Sequence, residues 1–108
     1  IIKIIESCKN NKPLPFGIYH VTDLGETSWF EFAGEIKKQA EEIGLLEKND
    51  CAVNSCTTEE YPTPAKRPAY SVLSKEKIQR EAEIILPQWQ DTLREFLTSK
   101  EFDRLRVL

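Results

Sequence analysis

The stretch from Ser28 to Gly44 constrains the fold more than any other part of the sequence. Ser28-Trp-Phe-Glu31 is a Ser-x-x-Glu capping box, in which hydroxyl and carboxylate each satisfy an amide that a helix start leaves bare. Behind it, apolar residues fall at positions 29, 32, 33, 36, 40 and 43, steps of three and four that make one buried stripe. Gly44 stands just past the helix end, where a left-handed residue is needed. A helix with one apolar face must pack on something. On one side, residues 18–22 read Ile-Tyr-His-Val-Thr, β-branched and aromatic with no breaker; on the other, residues 51–57 form a weaker run. About thirty residues apart with a helix between them, these runs fit a right-handed βαβ crossover with parallel strands. The expectation is therefore an α/β lobe: a short parallel two-strand βαβ unit with flanking helices. Two strands alone are marginal, so the sheet is expected to extend a larger one.

The flanking helices are read the same way. Residues 1–10 carry apolar side chains at 1, 4, 5 and 8 and end at Asn10-Asn-Lys-Pro13. Ser74 is placed to cap a helix running to about Ala82. Pro87 suits the first turn of a last helix whose apolar face is Trp89, Leu93, Phe96 and Leu97, with residues 101–108 continuing or fraying it. Trp29 and Trp89 both read as core, and His20 as a hydrogen-bonded structural residue. Between residues 58 and 70, Pro62, Pro64 and Pro68 bracket Lys66 and Arg67. Proline fixes φ and removes donors, so this is an extended loop and not a helix.

A chain of 108 residues, 40% hydrophobic and 31% charged, is one globular domain on these totals. Its net charge of −3, with acids and bases intermixed, argues against nonspecific binding of nucleic acid. No apolar run is long enough to span a membrane. The first residues lack the order of a signal peptide, and the chain contains no Met, so a truncated start is expected. Cys8, Cys51 and Cys56 are odd in number and lack paired-ligand spacing, so with His20 they make no credible zinc site. They read as buried or half-buried thiols in a reducing cytoplasm.

The chemistry that is missing narrows the function. The glycines, Gly17, Gly25, Gly34 and Gly44, are too far apart for a phosphate-cradling Rossmann turn. There is no P-loop and no Tyr-x-x-x-Lys: Tyr61 to Lys66 and Tyr70 to Lys75 are each one residue too long. No catalytic residue can be assigned. On the residues alone, the chain is a binding lobe or a structural domain.

Four segments carry a resemblance. They are Gly17-Ile-Tyr-His-Val-Thr22, Thr27-Ser-Trp-Phe-Glu-Phe32, residues 58–71 with their Tyr-Pro-Thr-Pro-Ala-Lys-Arg-Pro core, and Leu86-Pro-Gln-Trp89 with Leu93-Arg-Glu-Phe96. In this order the chain resembles the C-terminal part of the dTDP-4-dehydrorhamnose reductase family, over roughly residues 1–97. The resemblance implies an extended short-chain dehydrogenase/reductase. In it, residues 1–108 are the C-terminal sugar-nucleotide-binding lobe, and an N-terminal Rossmann lobe, absent from this chain, holds NADPH or NADH. The implied reaction is reduction of dTDP-4-dehydro-L-rhamnose to dTDP-L-rhamnose, with this part silent by itself. The alternative within the family is a non-catalytic sugar-nucleotide-binding or regulatory module. Expected partners are the dTDP-sugar and the lobe's own Rossmann partner, docked on an exposed apolar patch; a homodimer is also open.

Three residues are the candidates for binding. Arg67, between prolines, offers a bidentate guanidinium to phosphate oxygens; the plainer role is pairing with a local carboxylate or helix end. Lys66 adds a second cation or is simply solvated. Tyr70 would stack on a base or sugar, or pack as core; some relatives carry an amide there. Glu59 and Glu60 are adjacent and face solvent, not each other.

Overall fold

The capping box forms as the sequence demands. In the computed structural model, which describes residues 1–65, 67–100 and 102–103, the Glu31 amide donates to Ser28 Oγ at 3.2 Å. The Ser28 amide donates back to Glu31 Oε2 at 2.9 Å. This starts the longest helix. Among the described residues four helices follow one another: α1 (Ile2–Lys9), α2 (Trp29–Glu42), α3 (Glu76–Ala82) and α4 (Trp89–Leu97). At the far end of α2, Gly44 takes φ +74° while the Leu45 amide reaches back to the Ala40 carbonyl at 2.8 Å. Ser74 works as a cap only in part: its Oγ accepts from the Glu76 amide at 3.4 Å, with Lys75 at the cap position. Pro87 lies one residue before the cap of α4, not in its first turn. Its carbonyl is used instead, as shown below.

The expected two-strand βαβ unit does not form. Among the described residues there are four helices and no strand, so the lobe is helical with extended connections. The reason is that β-branched composition records fit to a pleated surface, whereas a strand needs a neighbour to complete its ladder. Residues 18–22 find side chains in place of a neighbouring strand. Lys77 Nζ donates to the Ile18 carbonyl at 3.2 Å and lies 4.3 Å from the centre of the Tyr19 ring. Residues 51–57 end in a local turn, where the Thr57 amide donates to the Glu60 carboxylate at 2.6 Å.

What does pair is one residue of the turn before α2. Leu24 and Gln88 form a parallel bridge: the Leu24 amide donates to the Pro87 carbonyl (2.8 Å) and the Trp89 amide donates to the Leu24 carbonyl (3.1 Å). The next residue must be glycine. Gly25 has φ +93°, and a Cβ there would sit 2.8 Å from Trp89 Cδ1.

This bridge joins two small packed nuclei. In one, Ile78, Ala82 and Leu86 are buried, with Leu14, Tyr19, Leu24 and Ile84 against them. In the other, α2 lies on α4: Ala40 and Leu97 are buried, Phe32 meets Trp89 edge-on at 5.6 Å, and Arg94 pairs with Glu42 at 2.8 Å. The buried Gln39 donates to the Gln90 carbonyl at 3.0 Å. Trp29 is 81% exposed, not core: the stripe is seated from Phe32 onward, and Trp29 rests at the rim, 6.4 Å from that ring. His20 is exposed and makes no hydrogen bond among the described residues. All three cysteines are exposed as well, against the expected burial, because each lies outside both nuclei. Glu101 and residues 104–108, expected to continue or fray the last helix, lie outside the described residues.

Much apolar surface remains uncovered. No residue of α1 is buried, and Ile1, Ile2, Phe16, Ile18 and Val21 are exposed. The radius of gyration is 18.3 Å, against about 13 Å for a self-contained domain of this length. The accessible surface is 9409 Å², where about 6,200 Å² is usual for this mass.

Candidate functional site

The proline-rich segment crosses in front of the turn that precedes α2. Residues 67–73 are exposed and neither helical nor extended into a ladder. Their position is marked by Tyr70, 66% exposed, whose hydroxyl donates to Glu26 Oε1 at 2.7 Å. The Glu26 carboxylate, as acceptor and as nearby negative charge, raises the Tyr70 phenol above its ordinary value. Tyr70 is thus not core: its hydroxyl is committed to Glu26 while its ring stays exposed.

Concavities of about 340 and 380 Å³ lie beside this pair. Both are lined by Glu26, Tyr70 and Val72; one adds Thr27, Glu31 and Ser71, the other Ser74, Glu76 and Gln79 with Lys75. Hydroxyls, an amide and carboxylates suit a neutral, hydroxyl-rich group. A pyrophosphate would meet repulsion from Glu26 and Glu31 in one, and from Glu26 and Glu76, partly offset by Lys75, in the other. The Glu31 carboxyl is held below the usual range first by the Ser28 amide and then by its hydroxyl, so it is charged at neutral pH.

Of the candidates from sequence, Tyr70 and Arg67 do not line the same concavity. Tyr70 is beside the concavities. Arg67 is exposed three residues earlier, lines neither of them, and has no ion pair among the described residues. Lys66 lies outside the described residues. Glu26 was not legible as a site residue: its neighbours mark a turn and nothing more, because its partner is 44 residues away. Glu59 and Glu60 are exposed, and Glu60 serves the local turn at Thr57.

Among the described residues no group of three His, Cys, Asp or Glu could hold a metal. Nor do they fit a nicotinamide cofactor. Gly25 packs on Trp89, Gly44 closes α2, Gly17 has Lys77 Nζ against it, and none makes a glycine-rich turn between a strand and a helix N-terminus.

Comparison with known proteins agrees with a binding lobe. A family model described as the RmlD substrate binding domain matches residues 1–102. The chain is 39% identical over 89 residues to a dTDP-4-dehydrorhamnose reductase of Salmonella typhimurium, covering 82% of this chain and 29% of that protein. It is 40% identical over 94 residues to one of Aggregatibacter actinomycetemcomitans, covering 87% and 32%. To the spore coat polysaccharide biosynthesis protein SpsK of Bacillus subtilis it is 48% identical over 86 residues, covering 80% and 28%. The chain thus spans less than a third of the length of these curated relatives. No solved structure matches it.

Proposed function

This chain belongs to the RmlD substrate binding domain family, and from that premise we propose that residues 1–108 are the C-terminal, sugar-nucleotide-binding lobe of an NAD(P)H-dependent reductase that converts dTDP-4-dehydro-L-rhamnose to dTDP-L-rhamnose. The observation that carries this reading is the family match over residues 1–102, supported by relatives named as that reductase. Reduction at C4 takes a hydride to carbon and a proton to oxygen. The residues of this chain supply neither, so its task is to hold and orient the sugar nucleotide. Arg67, with Lys66 beside it, meets the pyrophosphate. Tyr70 and the hydroxyl-bearing cleft beside it take a neutral part of the ligand.

In the same reading NADPH or NADH sits in an N-terminal Rossmann lobe, which covers the exposed isoleucines of α1 and residues 16–21. A second copy of the protein is a further candidate for the apolar surface. The cytoplasm is the proposed setting; no helix of the described residues is long and apolar enough to cross a membrane.

The test is a cofactor-oxidation assay with dTDP-4-dehydrorhamnose. The full-length protein should turn over and the 108-residue chain should not exceed a no-protein control. A full-length protein that binds the sugar nucleotide but oxidises neither NADH nor NADPH would overturn the reductase reading. Turnover by the chain alone would overturn the division of labour.

A further inference from the structure

The turn before α2 is a fixed post. Leu24 is held on both its amide and its carbonyl by residues 87 and 89, Gly25 is pressed against the Trp89 ring, and Ser28 is locked to Glu31. Glu26 projects between these anchored residues. The proline-rich segment is the opposite case. Its other hydrogen bonds are local: Thr57 with Glu60 and Tyr61, and Thr63 with the Ala65 carbonyl. Among the described residues, the bond from Tyr70 to Glu26 is the one hydrogen bond that ties residues 58–73 to a distant part of the chain.

We propose that the Tyr70–Glu26 pair is a latch that sets the position of the proline-rich segment, making Glu26 a positioning residue for Arg67. The prolines at 62, 64 and 68 limit the segment's internal freedom. A stiff segment has few ways to move except as a unit, so one tie three residues from Arg67 sets where its backbone stands and hence what its guanidinium can reach. The placement decides how well a planar, bidentate donor meets an anion, since such contacts tolerate little misalignment. The functional consequence rests on the substrate-binding role proposed above, whereas the latch itself is a property of the fold.

The latch is tested in the full-length protein with Glu26→Ala, Glu26→Gln and Tyr70→Phe. Chymotrypsin cleaves after residue 70 in every variant, because that residue stays aromatic. Release of the segment should speed cleavage between residues 70 and 71 by roughly two- to tenfold in Glu26→Ala and Tyr70→Phe, as the open population rises by one lost hydrogen bond. Glu26→Gln keeps an acceptor oxygen and should cleave at the parent rate. In an alkaline absorbance titration, Glu26→Ala should bring the raised phenol back toward the ordinary tyrosine value, and Tyr70→Phe should remove it.

Cleavage unchanged in both Glu26→Ala and Tyr70→Phe would overturn the latch. Should Glu26→Ala not fold, Tyr70→Phe decides, with each protein's cleavage rate referred to its rate when denatured so that chymotrypsin's own preference between Tyr and Phe is removed. The positioning role predicts that Glu26→Ala raises KM for the sugar nucleotide by roughly two- to tenfold at constant kcat, with Glu26→Gln restoring it. Faster cleavage with unmoved KM would overturn that role. An Arg67→Ala variant with intact KM would instead overturn the substrate reading and leave the latch to be judged by cleavage.

Discussion

The frame built from the turn at 24–28, α2 and α4 and the segment at 58–73 are held by different means. The frame is held several times over: two backbone hydrogen bonds at Leu24, an indole filling the space above Gly25, a reciprocal cap at Ser28, and α2 seated on α4 through Phe32, Gln39 and Arg94. Among the described residues, the segment contributes no buried residue and is tied across the molecule by one hydrogen bond, from the Tyr70 phenol. Loss of any single contact in the frame leaves others in place; loss of the Tyr70 bond leaves the described residues of the segment with local hydrogen bonds alone. Substitutions in the frame and in the segment should therefore fail in different ways, the first through stability and the second through ligand affinity. Such a division is common where a rigid scaffold carries binding loops.

The largest expected effect lies in the nucleus on which the frame's turn rests, with Leu24 packed against it. Ile78 is 2% exposed at the centre of the nucleus beneath the turn. Ile78→Ala in the full-length protein should lower the free energy of unfolding by about 2–4 kcal/mol, since it removes apolar contacts and leaves a cavity. Urea denaturation measures this. KM for the sugar nucleotide, measured on the fraction that remains folded, should stay the same. A KM that rises with the loss of stability would mean the nucleus and the segment are not separable.

The next effect tests the segment. Arg67→Ala should raise KM for the sugar nucleotide by roughly ten- to a hundredfold, about 1.4–2.7 kcal/mol, with the cofactor's own constant and the Tm little changed. Arg67→Lys should recover only part, because the bidentate fork is lost. Intact substrate kinetics with a lowered Tm would make Arg67 a packing residue and would break the contrast.

The same contrast explains what could be read from the sequence. The features of the frame that are local in sequence were legible. Ser28 and Glu31 are three residues apart, the stripe of α2 repeats at helical spacing, and Gly44 marks the exit, so each could be placed by counting. Features that depend on distant partners were not. The β-rich runs at 18–22 and 51–57 have the composition of strands, but whether a ladder forms depends on a neighbour that composition cannot name. The bridge from Leu24 to Gln88 spans 64 positions and has no sequence signature. Trp29 and Trp89 looked alike because both lie on helical stripes; one is at the rim and the other is seated on Phe32 and Gly25. For the site, the prolines made the extended segment legible, while Glu26, its anchoring partner, was hidden in an ordinary turn.

The smallest effect probes the cap that keeps the post in place. Ser28→Ala removes the hydroxyl that accepts from the Glu31 amide and should cost about 1 kcal/mol. The more discriminating measurement is its pH dependence. The Glu31 carboxyl is held below the usual glutamate range, chiefly by the Ser28 amide, so the folded state binds a proton less readily than the unfolded chain. A depressed carboxyl contributes stability that is complete above its unfolded value and is lost as pH falls through its folded value. Stability should therefore decline from about pH 5 toward pH 3. Glu35, lowered mainly by the Gln39 amide and further by Lys38, acts in the same direction. Glu31→Gln keeps an oxygen that can accept from the Ser28 amide but carries no charge, so its decline over this range should be shallower than the parent's, with the remainder owed to other carboxyls such as Glu35. Ser28→Ala should fall between the two, because it removes the weaker of the two bonds to Glu31. The helical circular dichroism followed through acid titration checks this order. An acid profile for Glu31→Gln as steep as the parent's would remove Glu31 from the account of the cap and leave the turn anchored by Leu24 and Gly25 alone.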